Sequence, residues 1–286
     1  MAFTDDHFPS EMLESFKKKS SIFFIGAGIS MDAGLPSWGK LISDLIDLAS
    51  KQPWCGEDKI REYKKLLKDG NNFLLLAEEL KSELGSIFYN YIESIFGQPD
   101  IKPTPTMESI LKVKSNIILT SNYDRLIENT YTKLNGYPPP TFTYSQSREI
   151  ANNYWKEKFF VLKAHGDAFS DVQGIILSQR DYRKTLYREI GYKSILQSIF
   201  STKSVFFVGT SMTDPEFNLL LDYLHESYSG GGPIHYLLIS KDKANPIIQK
   251  RFFEDFKIQT IIYENHSGNH AEIKEYIDVL KVKISS

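Results

Sequence analysis

Two side chains could carry chemistry in this chain. Asn122 stands in the segment TSNYD (residues 120–124), directly after an apolar run, and its amide can accept from one hydroxyl while donating to another. That pairing suits a residue that holds a ribose or an attacking water. His165, in KAHGD (residues 163–167), is the only one of six histidines that both follows a strand-like run and precedes a glycine. Imidazole is the usual side chain for moving a proton near neutral pH. Gly26, Ala27 and Gly28 open the segment GAGIS with little side-chain bulk, so their backbone N–H groups could approach a phosphate at a helix N-terminus. Gly209, Thr210 and Ser211 combine close backbone approach with two hydroxyls, apt for phosphate and ribose. Each motif taken singly has a plainer account. GAGIS could be a tight turn without a ligand; Asn122, Asp124 or Ser121 could cap the following helix; a lone histidine is more often structural.

The elements that must position these residues repeat one pattern, a short apolar run entering a polar or glycine-bearing turn. The runs are Ser21 to Ile25, Asn116 to Leu119, Phe159 to Leu162, Ser204 to Val208, Ile234 to Ile239 and Gln259 to Tyr263. They are continuous, not alternating, which predicts strands of a parallel sheet covered by helices on both faces. The expected fold is therefore α/β, a Rossmann-like doubly wound parallel sheet. Ligands of such sheets sit beyond the carboxyl ends of the strands, so GAGIS, TSNYD, HGD and GTSMTD should converge there. Helices are predicted over Pro9 to Lys19, Ser37 to Ser50, Arg125 to Leu134 and Asn218 to His225, with Asp214 and Pro215 opening the last. Helical insertions at about 53–112 and 178–201 should form a layer or lid within a single catalytic domain of residues 1–286. PTPT, PPPTFTYS and SGGGP read as punctuation.

Composition excludes several classes. The chain has 286 residues, 41% of them hydrophobic, enough for a large core, and is neither disordered nor fibrous. A formal charge of -2 offers no general field for nucleic acid or an anionic membrane, so no direct binding to either is expected. The single cysteine, Cys55, permits neither an intramolecular disulfide nor a four-cysteine zinc site. No segment reads as a membrane span or signal peptide, and a cytoplasmic location is expected. His7, His225 and His235 read as surface or packing residues. His266 and His270 fall near the crevice rim, where Ser267 or Asn269 could cap the final helix. Lys64, Lys65 and Lys68 read as a solvated helix face.

Taken in order, GAGIS with AGLPSW around it, TSNYD, KAHGD and GTSMTDPEF resemble the sirtuin-like superfamily, over about Ile22 to Phe217. The forms AGLPSW, HGD and GTSMTDP are most similar to the sirtuin-like NAD-hydrolases of bacterial antiphage defence. Sirtuin deacylases carry a four-cysteine zinc module and a GIPDFR-like segment where this chain reads GLPSW, and both departures speak against lysine deacylation. The resemblance implies NAD+ as substrate, no zinc and no prosthetic group. It implies that Gly26, Ala27, Gly28, Ser30, Gly209, Thr210 and Ser211 cradle the pyrophosphate and riboses. Asn122 and Asp124 would then order the nicotinamide ribose and water, and His165 would be the base. It further implies a homo-oligomer, an abortive-infection role and a sensor such as a hexameric translocase ATPase or an Argonaute-like protein. With the chain closing at Ser286 soon after the last strand, that sensor is expected as a separate subunit. A deacylase and a non-catalytic subunit sensing NAD or ADP-ribose are the alternative readings.

Overall fold

The computed structural model describes residues 3–70, 72–212, 215–266 and 268–285. The chain begins with α1 (Ser10–Lys17), β1 (Ser21–Ile25), the single turn α2 (Ala27–Ser30) and α3 (Trp38–Ala49). A helical stretch follows: α4 (Glu57–Lys68), α5 (Phe73–Leu84), α6 (Ser86–Phe96) and α7 (Pro105–Lys112). Next come β2 (Ile117–Thr120), α8 (Leu126–Asn135), β3 (Thr141–Thr143), α9 (Ser147–Trp155) and β4 (Phe160–Lys163). After them run α10 (Gln179–Arg188), α11 (Ile190–Thr202), β5 (Ser204–Val208) and α12 (Pro215–Ser227). The chain closes with β6 (His235–Ser240), α13 (Pro246–Phe256), β7 (Ile258–Tyr263) and α14 (Glu272–Ser285).

The seven strands form one sheet in the order β3-β4-β2-β1-β5-β6-β7, and every pairing is parallel. Strand order reverses at β1, which has β2 on one side and β5 on the other. The apolar runs read as strands from sequence all form strands, within a residue at either end. Their continuity has the expected cause. Phe23 and Ile25 of β1 enter one core with Ile118, Val161, Phe206 and Val208, while Ile22 and Phe24 enter another with Ile117, Leu119, Phe160 and Phe207. Burying each such side chain contributes about 1.5–3 kcal/mol, so covering both faces rewards an unbroken apolar strand. Helices α1, α7, α8 and α14 cover the first face; α9, α11 and α12 cover the second.

A third apolar cluster joins α3 through α6 and includes Leu45, Ile60, Leu80, Phe88 and Ile92. It also takes in Tyr123, Ala168, Ile175 and Leu177, so the helical layer packs on the turns that follow β2 and β4. Local signals place helix starts: for α3, Ser37 accepts from the N–H of Lys40, and for α7, Thr104 accepts from that of Met107 with Pro105 at the first helical position. The motif PPPTFTYS, read as punctuation, contains the edge strand β3. Three half-buried residues show no periodicity, and prolines are tolerated beside an edge strand because it has no neighbour on its outer side. Helices α9 and α13 also go beyond the elements read from sequence.

Candidate active site at the strand ends

The register brings the four motifs to one level. Ile25 lies beside both Thr120 and Val208, and Thr120 lies beside Lys163. Thr120 itself begins TSNYD, and the residues after Ile25, Val208 and Lys163 begin GAGIS, GTSM and AHGD, so these turns share the carboxyl edge of the sheet around the point where strand order reverses. Of the motif GTSMTD, Thr213 and Asp214 lie outside the described residues, as does Ser267.

The glycines answer a close approach between two turns. The N–H of Gly26 donates to Val208 O (3.0 Å) and that of Gly28 to Gly209 O (2.8 Å). A Cβ on Gly26 would lie 2.5 Å from Gly209 O, and one on Gly209, whose φ is +70°, would lie 2.6 Å from Ile29 Cγ1. These two amide hydrogens are thus directed within the protein. Ala27 and Thr210 are half-buried and Ser211 is exposed, so all three sit where a ligand can reach them. Thr210 Oγ1 also accepts from the N–H of Met212 (3.2 Å).

Asn122 is held at both its backbone and its side chain. Thr120 donates its hydroxyl to Ile25 O (2.7 Å) and accepts from the N–H of Asn122 (3.0 Å), tying the turn back to β1. The amide Nδ2 of Asn122 donates to Gly26 O (3.2 Å) and to Ser30 Oγ (2.9 Å), and Ser30 donates to Asp124 Oδ2 (2.8 Å). An ionised carboxylate can only accept, so Ser30 must donate to Asp124 and must therefore accept from Asn122. This fixes the amide orientation and leaves Asn122 Oδ1 buried without a partner. Asp124 Oδ1 accepts from the N–H of Leu126, the first residue of α8 (2.9 Å), so the side chain that meets the start of α8 is that of Asp124, not Asn122. Ser30 and Asp124 are both buried, and Ser30 bridges Asn122 and Asp124.

His165 is buried after β4. Its ring meets Tyr182 of α10 edge-on, with centroids 5.2 Å apart and Nε2 3.5 Å from the tyrosine hydroxyl, and it stacks on Phe217 at 6.1 Å. Its own carbonyl accepts from the N–H of Ile176 (2.9 Å). Tyr182 is carried by a helix start that is well anchored. Asp181 and Ser178 cap one another, and Lys81 of α5 donates to both oxygens of Asp181 (2.8 and 2.9 Å). Burial works against the Asp181 carboxylate, but the Lys81 ammonium and the Ser178 N–H hold it below the usual carboxylate range. The two helical insertions thus meet across this ion pair, beside the histidine.

Three further residues belong to the site's framework. Lys163, the last residue of β4, is fully buried, and its ammonium lies 2.8 Å from Asp167 Oδ1 and 3.0 Å from Glu128 Oε1. It also donates to the carbonyls of Asp124 (2.6 Å) and Tyr123 (3.3 Å). Burial alone would lower its affinity for a proton, but Glu128, Asp167 and Asp124 outweigh burial and keep the ammonium charged beyond its ordinary range. Burial pushes Glu128 the other way, above the usual carboxylate range, with Lys163 opposing. A charged residue ending an apolar run was the available signal for this cluster. Of the remaining histidines, His235 is buried and accepts from the N–H of Val205 through Nδ1 (3.1 Å). Burial drives its pKa down to about 4. His270 bonds the Tyr263 hydroxyl (2.7 Å), and Asn269 accepts from the N–H of Ala271 before α14.

An open all-parallel α/β sheet, Rossmann-like in topology, with polar turns gathered at its switch point, defines the class to which this protein is assigned. The model of the SIR2-like domain matches residues 116–261, just over half of the chain, and the protein belongs to that family. The NAD(+) hydrolase ThsA of Bacillus cereus (strain MSX-D12) is 25% identical, over 98% of this chain and 57% of the relative. That of Enterococcus faecium is 26% identical, over 94% and 55%. Defense-associated sirtuin 2 of Bacillus subtilis is 24% identical, over 76% of this chain and 20% of the relative. The chain thus spans between a half and three fifths of the length of these two NAD(+) hydrolases. Among the described residues no helix is long and apolar enough to cross a membrane, and no group of three or more His, Cys, Asp and Glu side chains is arranged to hold a metal.

Proposed function

We propose that this chain hydrolyses the nicotinamide–ribose bond of NAD+, giving nicotinamide, ADP-ribose and a proton. The observation that carries the reading is the buried, unpartnered Oδ1 of Asn122, an acceptor whose direction Ser30 and Asp124 fix. A buried acceptor without a partner costs about 1–3 kcal/mol, and a ribose hydroxyl or a water would repay that on binding. The similarity to NAD(+) hydrolases supports the same substrate.

The pyridinium leaves as a neutral ring, so the departure needs no general acid, and the barrier lies in an oxocarbenium-like sugar. Asn122 orients the ribose hydroxyl or the attacking water; His165 accepts the proton that water or a ribose hydroxyl releases. Ser30 and Asp124 act through Asn122. Gly26, Gly28 and Gly209 let the two turns approach, and on this reading Ala27, Thr210 and Ser211 are the residues that meet the pyrophosphate and riboses. The single cysteine fits a hydrolase without the zinc module of the deacylases.

We assign it to the cytoplasm as an NAD-depleting effector of antiphage defence, acting as a homo-oligomer under the control of a sensor. Incubating purified protein with NAD+ and resolving the products tests the activity, with the Asn122→Ala variant as control. Nicotinamide and ADP-ribose formed without an acylated peptide support it. Release only with an acyl-lysine peptide, or tight binding without turnover, would replace it with a deacylase or a sensing subunit.

A further inference from the structure

Lys163 occupies a position that stability alone does not explain. It ends a strand whose preceding residues, Phe160, Val161 and Leu162, are fully buried and apolar. Replacing a buried ion cluster with apolar groups of similar volume is often neutral or stabilising, because desolvating the charges offsets much of their attraction. An apolar side chain could not, however, bond two turns at once. The Lys163 ammonium reaches the carbonyls of Tyr123 and Asp124, which immediately follow Asn122, and the carboxylate of Asp167, two residues after His165. Glu128 supplies the fourth contact from α8, the helix that the Asn122 turn starts. One further bond crosses the same gap, from the N–H of Ala168 to Tyr123 O (3.1 Å).

We propose that Lys163 is a positioning residue, a buried cationic clamp that sets the Asn122 turn and the His165 turn in register with each other. The proposal rests on the hydrolase reading for its kinetic consequence and on geometry alone for its structural one. A displacement of about 1 Å between groups that act together costs on the order of 10²-fold in rate. Loss of the clamp should therefore appear in kcat, with substrate binding little changed.

Removing the lysine alone would strand two buried carboxylates, so the variant to make is Lys163→Met combined with Glu128→Gln and Asp167→Asn. Its fold is checked by circular dichroism and gel filtration. Three quantities are compared with the native chain: kcat for nicotinamide release, KM for NAD+, and amide exchange at Ala168. The clamp predicts kcat lower by about 10²-fold, KM held within about threefold, and faster exchange at Ala168 with β1 and β5 unchanged. A folded variant with native kcat or native Ala168 exchange overturns it. If the triple variant does not fold, Asp167→Asn alone is judged by the same quantities. If the native chain releases no nicotinamide, the hydrolase reading falls, and Ala168 exchange by itself decides the clamp.

Discussion

Ser30 and Asp124, 94 residues apart in sequence, are joined by a 2.8 Å hydrogen bond in a fully buried setting. The bond gives direction to everything around it. Asp124 can only accept, so the Ser30 hydroxyl proton is committed to it, and the serine lone pair is left to receive Asn122 Nδ2 at 2.9 Å. The result is an asparagine carbonyl oxygen held ready for a donor from a ligand.

Ser30→Ala should therefore impair turnover by freeing the direction of Asn122. Nicotinamide release should fall by about 10- to 10²-fold, less than in Asn122→Ala, because the amide keeps its bond to Gly26 O but loses its fixed direction. Steady-state assays of both variants check this order, and equal or reversed losses would contradict the relay.

His165→Ala should lower kcat by roughly 10²- to 10⁴-fold, the range for losing a general base. Truncating a buried ring packed on Phe217 and Tyr182 should lower the thermal midpoint while leaving the protein folded, and calorimetric binding of ADP-ribose should persist. Loss of ADP-ribose binding together with activity would make His165 a binding residue.

Gly209→Ala should damage the fold at the switch point. Its φ of +70° disfavours any Cβ, and that Cβ would meet Ile29 Cγ1 at 2.6 Å and Ile29 N at 2.8 Å. Strain and overpacking together suggest a loss of about 2–5 kcal/mol, readable by urea denaturation. Gly34→Ala has no neighbour within 4 Å of the added Cβ and carries only the strain of φ +85°, so it should cost less.

Acid should weaken the fold through His235. Burial lowers its pKa to about 4, while in the unfolded chain the imidazole titrates near its ordinary 6.5. Between those values the unfolded state binds a proton that the folded state does not, so stability is complete above about pH 6.5 and declines toward pH 4. The decline amounts to a few kcal/mol at most. Unfolding midpoints of native protein and His235→Asn, measured from pH 7 to pH 4, should diverge at neutral pH and converge on acidification. Parallel curves would contradict the assignment.

Much of this protein was legible in its residues. Unbroken apolar runs such as SIFFI and SVFFV dictate strands buried on both faces, because a strand with one wet face would alternate. A polar or glycine-bearing turn after each run then places Asn122 and His165 at one sheet edge, since parallel strands all end on the same side. The order of those motifs was enough to indicate the family. The sequence did not show which polar atom faces which. Asn122 could have capped α8; instead the Asp124 carboxylate meets its first N–H, that of Leu126, while the asparagine is turned toward Gly26 and Ser30. GAGIS could have cradled a phosphate with all its amides; two of them meet Val208 O and Gly209 O, because β1 and β5 lie side by side. Lys163 stood in the sequence only as the first residue of KAHGD, and only the packing of α8 and of the two turns around it brings Glu128, Asp167 and two backbone carbonyls to one ammonium. Local sequence sets the type of each element and where it ends. The partners of a buried polar group come from chain segments far apart in sequence, and only the folded chain chooses among them.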